Sequence, residues 1–171
     1  LRQIEMEAIM NQLDVRVKKI EPVLALTYRH VAPDHGEIER IGDALQRALR
    51  QNNVKVAPPV FQIVYAEEYS QHDADVEFVV PVDPSHQGDL PLDTGGSMTL
   101  REVPGVDEAA TYIYSGDPDN INDHLIDLQR WVAEHGYKLV STIRMVMLRG
   151  PFERLPADEW LAEIQYPLEK A

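Results

Sequence analysis

Two carboxylates, a pair of thioethers and a few amides and phenols are the side chains here whose spacing suggests chemistry. Glu77 and Glu163 each stand four residues before a proline, in segments of one pattern, VEFVVPV (76–82) and AEIQYPL (162–168). Paired carboxylates can do general acid–base work, but repetition of a segment accounts for this pair more simply. Alternate side chains of a strand share a face, so Glu163 lies with Gln165, and Met145 lies with Met147. The reading places all four on one surface, turned away from the helices. An unpaired carboxylate under a helix is costly, and methionine suits a surface that adapts to several shapes. Gln62 with Val64, and Glu77 with Val79, hold the matching places in the first half. For Glu163 the structural alternative is an ion pair with an arginine such as Arg144; for the methionines it is core packing. Tyr112 and Tyr114 share a face and are expected to line a pocket or to sit half-buried in a strand. Trp131 falls near an apolar helix stripe, and Trp160 is placed to lid a cleft or plug a loop.

Other chemistries lack their residues. There is no cysteine, hence no thiol nucleophile, no Cys-based zinc site and no disulfide. The six histidines form no metal-binding spacing, and no GxSxG, Walker or GxGxxG segment occurs. No cofactor or metal is expected. The formal net charge is −13, and Lys18–Lys19 is the only adjacent basic pair. Such a surface repels phosphate backbones, whereas nucleic-acid binders carry a basic patch. No apolar run approaches the roughly 20 residues of a membrane span, and the first residues lack the apolar core of a signal peptide. A cysteine-free chain of this kind suits the cytoplasm. The opening residue is Leu1, as expected of a piece of a longer protein.

The elements that must position these residues follow from periodicity. Leu1, Ile4 and Ala8 suggest the end of an amphipathic helix over residues 1–12. Residues 13–29 read as extended, interrupted at Pro22. Gly36 to Asn52 reads as a helix with the stripe Ile38, Ile41, Leu45, Ala48 and Leu49, capped near Asp34 or His35. Strands follow at 59–66 and 75–82. Residues 84–97, rich in Pro, Gly and Asp, read as an exposed connector, with a short strand at 100–103. The pattern then restarts: a strand at 108–115, a helix capped by Asp117 with the stripe Ile121, Leu125, Leu128 and Val132, a close at Gly136, and strands at 140–148 and 161–168.

The restart is a repeat. ALTY (25–28) matches AATY (109–112), LQR (45–47) matches LQR (128–130), Lys55 matches Lys138, and FQIVY (61–65) falls on RMVML (144–148). The fold class is therefore α+β, with two tandem β-α-β-β modules about a pseudo-two-fold axis: module one at about 13–83, a connector at about 84–105 and module two at about 106–168. Each half alone is small for a stable core. The seam between two such lobes is a natural cleft for a ligand.

The run IRMVMLRGP (143–151), then AEIQYPL, with LxxWV (128–132) ending at Gly136, resembles the GyrI-like effector-binding domains of MerR-type and AraC-type bacterial regulators. The opening RQIEMEAIMNQLDVRVKKIEP resembles the join between linker helix and effector domain in the MerR type. The resemblance implies a concave antiparallel sheet with the helices on its outer side, and a small-molecule effector in the central cleft. It implies DNA contact only through a separate N-terminal domain, with a possible homodimer through the linker helix. In the multidrug-sensing relatives a buried glutamate pairs with lipophilic cations. That position here is Met145, the aromatic after it is Met147, and the helix tyrosine is Leu125, while Arg144 and Glu163 are kept. A cation in a pocket of low dielectric needs a counter-charge, so the substitutions point to a more apolar, less cation-selective ligand. The expected ligand-binding residues are Gln62, Val64, Tyr112, Tyr114, Leu125, Met145, Met147, Glu163 and Gln165. The alternatives are a small-molecule hydrolase using a cleft carboxylate and tyrosines, and a stand-alone protein-binding module.

Overall fold

Asp34 starts the first helix by lending a carboxylate oxygen to the Glu37 backbone N–H at 2.8 Å, which satisfies one of the donors a helix start leaves open. Helix α1 runs His35–Gln51 and buries Ile41, Ala44, Leu45 and Ala48, the predicted stripe. Asp34→Ala is expected to cost about 1 kcal/mol of stability, read as a lower urea midpoint with an unchanged slope.

The computed structural model describes residues 14–66, 68, 70, 72–149 and 155–171; the helix expected at 1–12 lies outside them. The strands are β1 (Arg16–Ile20), β2 (Val23–Ala32), β3 (Phe61–Val64), β4 (Ala74–Pro81), β5 (Leu90–Pro91), β6 (Ser97–Val103), β7 (Val106–Ser115), β8 (Tyr137–Leu139), β9 (Ile143–Arg149) and β10 (Leu161–Lys170). Helix α2 spans Leu125–Glu134. The strands form one antiparallel sheet in the order β1-β7-β10-β9-β3-β4-β2-β6-β5, with β8 also pairing with β10.

The register shows the repeat directly. Ala25 pairs with Pro81, and Ala109 pairs with Pro167. Ile63 pairs with Glu77, and Val146 pairs with Glu163. The bridge between Val56 and Val82 answers the pair Leu139 and Leu168. At the centre β3 pairs with β9, and Gln62 pairs with Met145, its own repeat mate. The pseudo-two-fold axis therefore passes through that pair.

The edge strands are matched as well. β1 and β2 are joined by Glu21–Pro22, and β6 and β7 by Pro104–Gly105, with Ile20 opposite Val106 and Val23 opposite Val103. The two bends lie against each other so closely that a Cβ on Gly105 would stand 2.3 Å from the Ile20 carbonyl oxygen. Only glycine fits there. This ribbon ties the ends of the six-strand path β7-β10-β9-β3-β4-β2 together, so one sheet face turns inward. The outer face carries both helices and the main core, with Leu26, Val64, Val76, Ile143, Ile164 and Tyr166 beneath Leu45, Leu128 and Val132. The inner face holds a smaller core of Ala25, Ile63, Val79 and Val103.

Three expectations need correction. The connector is not simply exposed: Leu90, Leu92 and Met98 are buried, because β5 and β6 extend the sheet beside β2. The helix expected from Asp117 begins as a 3-10 helix over Pro118–His124 and becomes α-helical only at Leu125, where no side chain caps it. The strand expected at 140–148 is β9, Ile143–Arg149, and a separate short strand, β8, precedes it at Tyr137–Leu139. Gly136, with φ 80°, closes α2 in the left-handed conformation as expected.

Candidate ligand site in the second module

Cross-strand partners share a sheet face, and this divides the expected site. Met147 pairs with Ala162 and Met145 with Ile164, whereas Glu163 pairs with Val146 and Gln165 with Arg144. The methionines thus face outward, toward α2, and Glu163 and Gln165 face inward. Placing all four on one surface was incorrect, because alternation along each strand leaves open how neighbouring strands are aligned. Gln62, paired with Met145, shares the outer face, as do Val64, Tyr112 and Tyr114; Leu125 covers that face from α2.

The outer face of module two holds a small apolar crevice lined by Tyr114, Gly116, Ile121, Met145, Met147, Trp160 and Ala162. Its volume is ≈ 10 Å³, about the space of one water. Trp160 donates its indole N–H to the Leu155 carbonyl at 2.9 Å, which holds the ring beside the crevice. Ile121 reaches it from the 3-10 helix. None of these lining side chains is charged. Of the expected residues, Tyr114, Met145 and Met147 line the crevice, and Gln62, Val64, Tyr112 and Leu125 share its face without lining it.

Beside it two tyrosines stack, Tyr112 on Tyr166, with ring centroids 6.4 Å apart. Both are buried, and the two hydroxyls act on each other. Burial pushes the Tyr166 hydroxyl up to about 12, against the lowering effect of its hydrogen bond with Tyr112, and burial likewise raises Tyr112. Both stay neutral donors at physiological pH. Tyr166 belongs to the face that alternation assigned to Ala162 and Ile164, but nothing in its spacing distinguished it from a core residue.

The inner face is built on two matched ion pairs. Glu77, 5 % exposed, accepts two hydrogen bonds from Arg101 Nη2 at 2.7 Å and one from the Tyr65 hydroxyl at 2.6 Å. Its mate Glu163 pairs with Lys18 at 3.0 Å and accepts from Gln165 at 2.9 Å. Arg101 stands opposite Ala25 and Lys18 opposite Ala109, so the cations are repeat mates too. Arg144 is not the partner of Glu163. It is buried, donates across the inner face to the Pro104 carbonyl at 2.9 Å, and is held below its ordinary value by burial. Burial and the hydrogen bond to Glu77 push Tyr65 up to about 12. Sequence reasoning missed Lys18, Arg101 and Tyr65. The signal for the two cations was their place on strands flanking the ALTY and AATY segments.

Among the described residues no three His, Asp or Glu side chains gather into a metal site, and no helix is long and apolar enough to cross a membrane. No family model matches the chain, and no curated protein does. Solved structures do. The EcmrR C-terminal domain superposes with a TM-score of 0.72 at 24% identity, over 93% of this chain and 99% of that one. The chain has the GyrI-like fold. EcmrR in its complex with DNA gives a TM-score of 0.79 at 22% identity over 99% of this chain, which spans 62% of the EcmrR chain. A hydrolase encoded by lin2189 of Listeria innocua gives 0.60 at 10% identity, over 91% of each chain. SAV2435, solved with tetraphenylphosphonium bound, gives 0.52 at 8% identity over 91% of this chain and 94% of that one. The GyrI-like fold positions the crevice through its second module: β9 and β10 supply the floor and the 3-10 helix before α2 supplies the wall.

Proposed function

We propose that this chain is the ligand-sensing domain of a bacterial transcription regulator, and that a small, largely apolar molecule enters the second module beside the 3-10 helix that precedes α2. The carrying observation is the crevice of Tyr114, Ile121, Met145, Met147, Trp160 and Ala162, small and apolar. Both inward-facing glutamates are already engaged by Arg101 and Lys18, so neither is a ready counter-charge for a cation on the outer face. Two further observations support a sensor. EcmrR carries the same fold in a DNA complex, and SAV2435 carries it with a small molecule bound. A crevice with room for about one water must widen to take a ligand. The 3-10 helix is the weakest part of its wall, since such segments have poorer hydrogen-bond geometry and often mark hinges. Movement of that wall gives the differential contact between two states that a sensor needs, passed to a DNA-binding domain elsewhere in the regulator, which dimerises through its linker helix in the cytoplasm.

The hydrolase reading has one observation in its favour, the Tyr65–Glu77 hydrogen bond at 2.6 Å. Glu77 also accepts twice from Arg101 and is buried, which leaves it poorly placed to take a proton from water. The sensor reading is therefore preferred.

Isothermal titration with tetraphenylphosphonium and with neutral triphenylphosphine oxide tests the proposal. The neutral compound is expected to bind at least as tightly, and Met145→Glu is expected to reverse the preference by tenfold or more. Tight binding to the cation alone, lost in Glu163→Gln, would overturn the reading of a neutral ligand.

A further inference from the structure

Tyr114 lines the crevice and also ties down its wall. It is the last residue but one of β7. Its side chain borders the crevice with Met145 and Met147, and its hydroxyl donates to the Asp117 carbonyl. That carbonyl is where the 3-10 helix Pro118–His124 starts, because it also accepts from the Asn120 N–H at 3.1 Å. Ile121, from the same short helix, is buried against the crevice.

The turn between Tyr114 and Asp117 joins a second part of the wall. Gly116 takes φ 119°, which glycine adopts without strain, and its N–H donates to the Trp160 carbonyl at 3.0 Å. The Tyr114 ring, the start of the 3-10 helix and the Trp160 segment thus meet at one turn. A 3-10 segment is held weakly by its own hydrogen bonds, so a further donor on its first carbonyl counts in its favour. At the far end α2 begins at Leu125 with no side-chain cap.

A crevice with room for about one water admits a larger molecule only when a lining group moves. The Tyr114 ring is rigid, so a displacement of the ring carries its hydroxyl off the Asp117 carbonyl. On the reading of the crevice as the ligand site, we propose that Tyr114 is the positioning residue that couples occupancy to the wall: its hydrogen bond to Asp117 holds the 3-10 helix closed, and a ligand that displaces the ring releases the helix ahead of α2. The bond is made in the closed state and lost in the open one, which is the differential contact a two-state sensor requires.

Tyr114→Phe keeps the ring and removes the donor. Hydrogen exchange of the ligand-free chain and titration with toluene, which has no polar group of its own, read the two halves of the coupling. Amide exchange at Asn120 and Ile121 is expected to quicken about fivefold, the worth of one neutral hydrogen bond, with exchange at Ile41 and Leu45 of α1 unchanged. Toluene is expected to bind the variant about fivefold tighter than the wild-type chain, since entry no longer breaks that bond. A tyrosine with a purely structural role would give equal or weaker binding when its hydroxyl is removed. Unchanged exchange at Asn120 and Ile121, equally faster exchange in α1, or faster local exchange without tighter binding would each overturn the coupling. Toluene binding to the wild-type chain with shifts at Met145, Met147 and Trp160 would leave the sensor reading standing in all three cases. Binding of toluene to neither chain would overturn that reading and the coupling together.

Discussion

Glu77→Ala is expected to destabilise the protein by about 2–3 kcal/mol, between the values for an exposed and a buried ion pair, because the Arg101 left behind is 35% exposed. The matched change Glu163→Ala is expected to cost about 1 kcal/mol. The two glutamates hold equivalent positions in the repeat and each has a basic partner from an edge strand, but their surroundings differ. Only 6% of the Glu77 side chain is exposed, and it anchors Arg101 twice and Tyr65 once. Without it Arg101 loses its counter-charge on the face where the buried Arg144 donates to the Pro104 carbonyl. Lys18, the partner of Glu163, is 44% exposed and is solvated by water when the carboxylate goes, which puts that pair in the range of surface ion pairs. Urea unfolding of both variants measures the contrast. Equal losses would show that the buried network contributes nothing beyond an exposed pair.

The same comparison shows why the repeat was legible and the site only in part. Strand alternation and the two apolar helix stripes are local patterns, so the modules and their order follow from matching one half of the sequence to the other, whereas the central β3–β9 pairing joins distant segments and emerges only in the fold. The alignment of β9 against β10 is not local. It decides that Met147 meets Ala162 and Glu163 meets Val146, and a single-residue shift would have put Glu163 beside the methionines. The ribbon that turns the inner face inward depends on Gly105 lying against Ile20, a contact between distant segments. Low sequence identity between the halves hides a further difference. Arg29 lies 3.7 Å over the Tyr65 ring and forms two hydrogen bonds with Asp75, while their mates Ile113, Leu148 and Leu161 are apolar, with Ile113 and Leu148 exposed. The copies share a backbone plan and differ in what each strand end presents.

Tyr166→Phe is expected to change the stability at pH 7 by about 1 kcal/mol or less while flattening its loss at alkaline pH. The buried hydroxyl has given up its bonds to water and has the Tyr112 hydroxyl as its neighbour in exchange, so the two effects of its removal largely offset. The pH dependence supplies an independent check. The hydroxyl is raised from an ordinary value near 10 to about 12 in the folded chain. It binds its proton more tightly when folded, so its contribution is fully present below about pH 10 and is lost as the pH climbs toward 12. A rise of that size corresponds to about 2–3 kcal/mol. Tyr112 and Tyr65 are raised as well, so the wild-type chain is expected to weaken steeply over this interval and Tyr166→Phe less steeply. Urea midpoints at pH 7, 9.5 and 11.5 give both quantities. A variant that is less stable at pH 7 and follows the wild-type slope above pH 10 would mean that the hydroxyl is satisfied in the folded protein. A variant with a flatter alkaline slope would assign part of the alkaline loss to the Tyr166 hydroxyl, as its raised value requires.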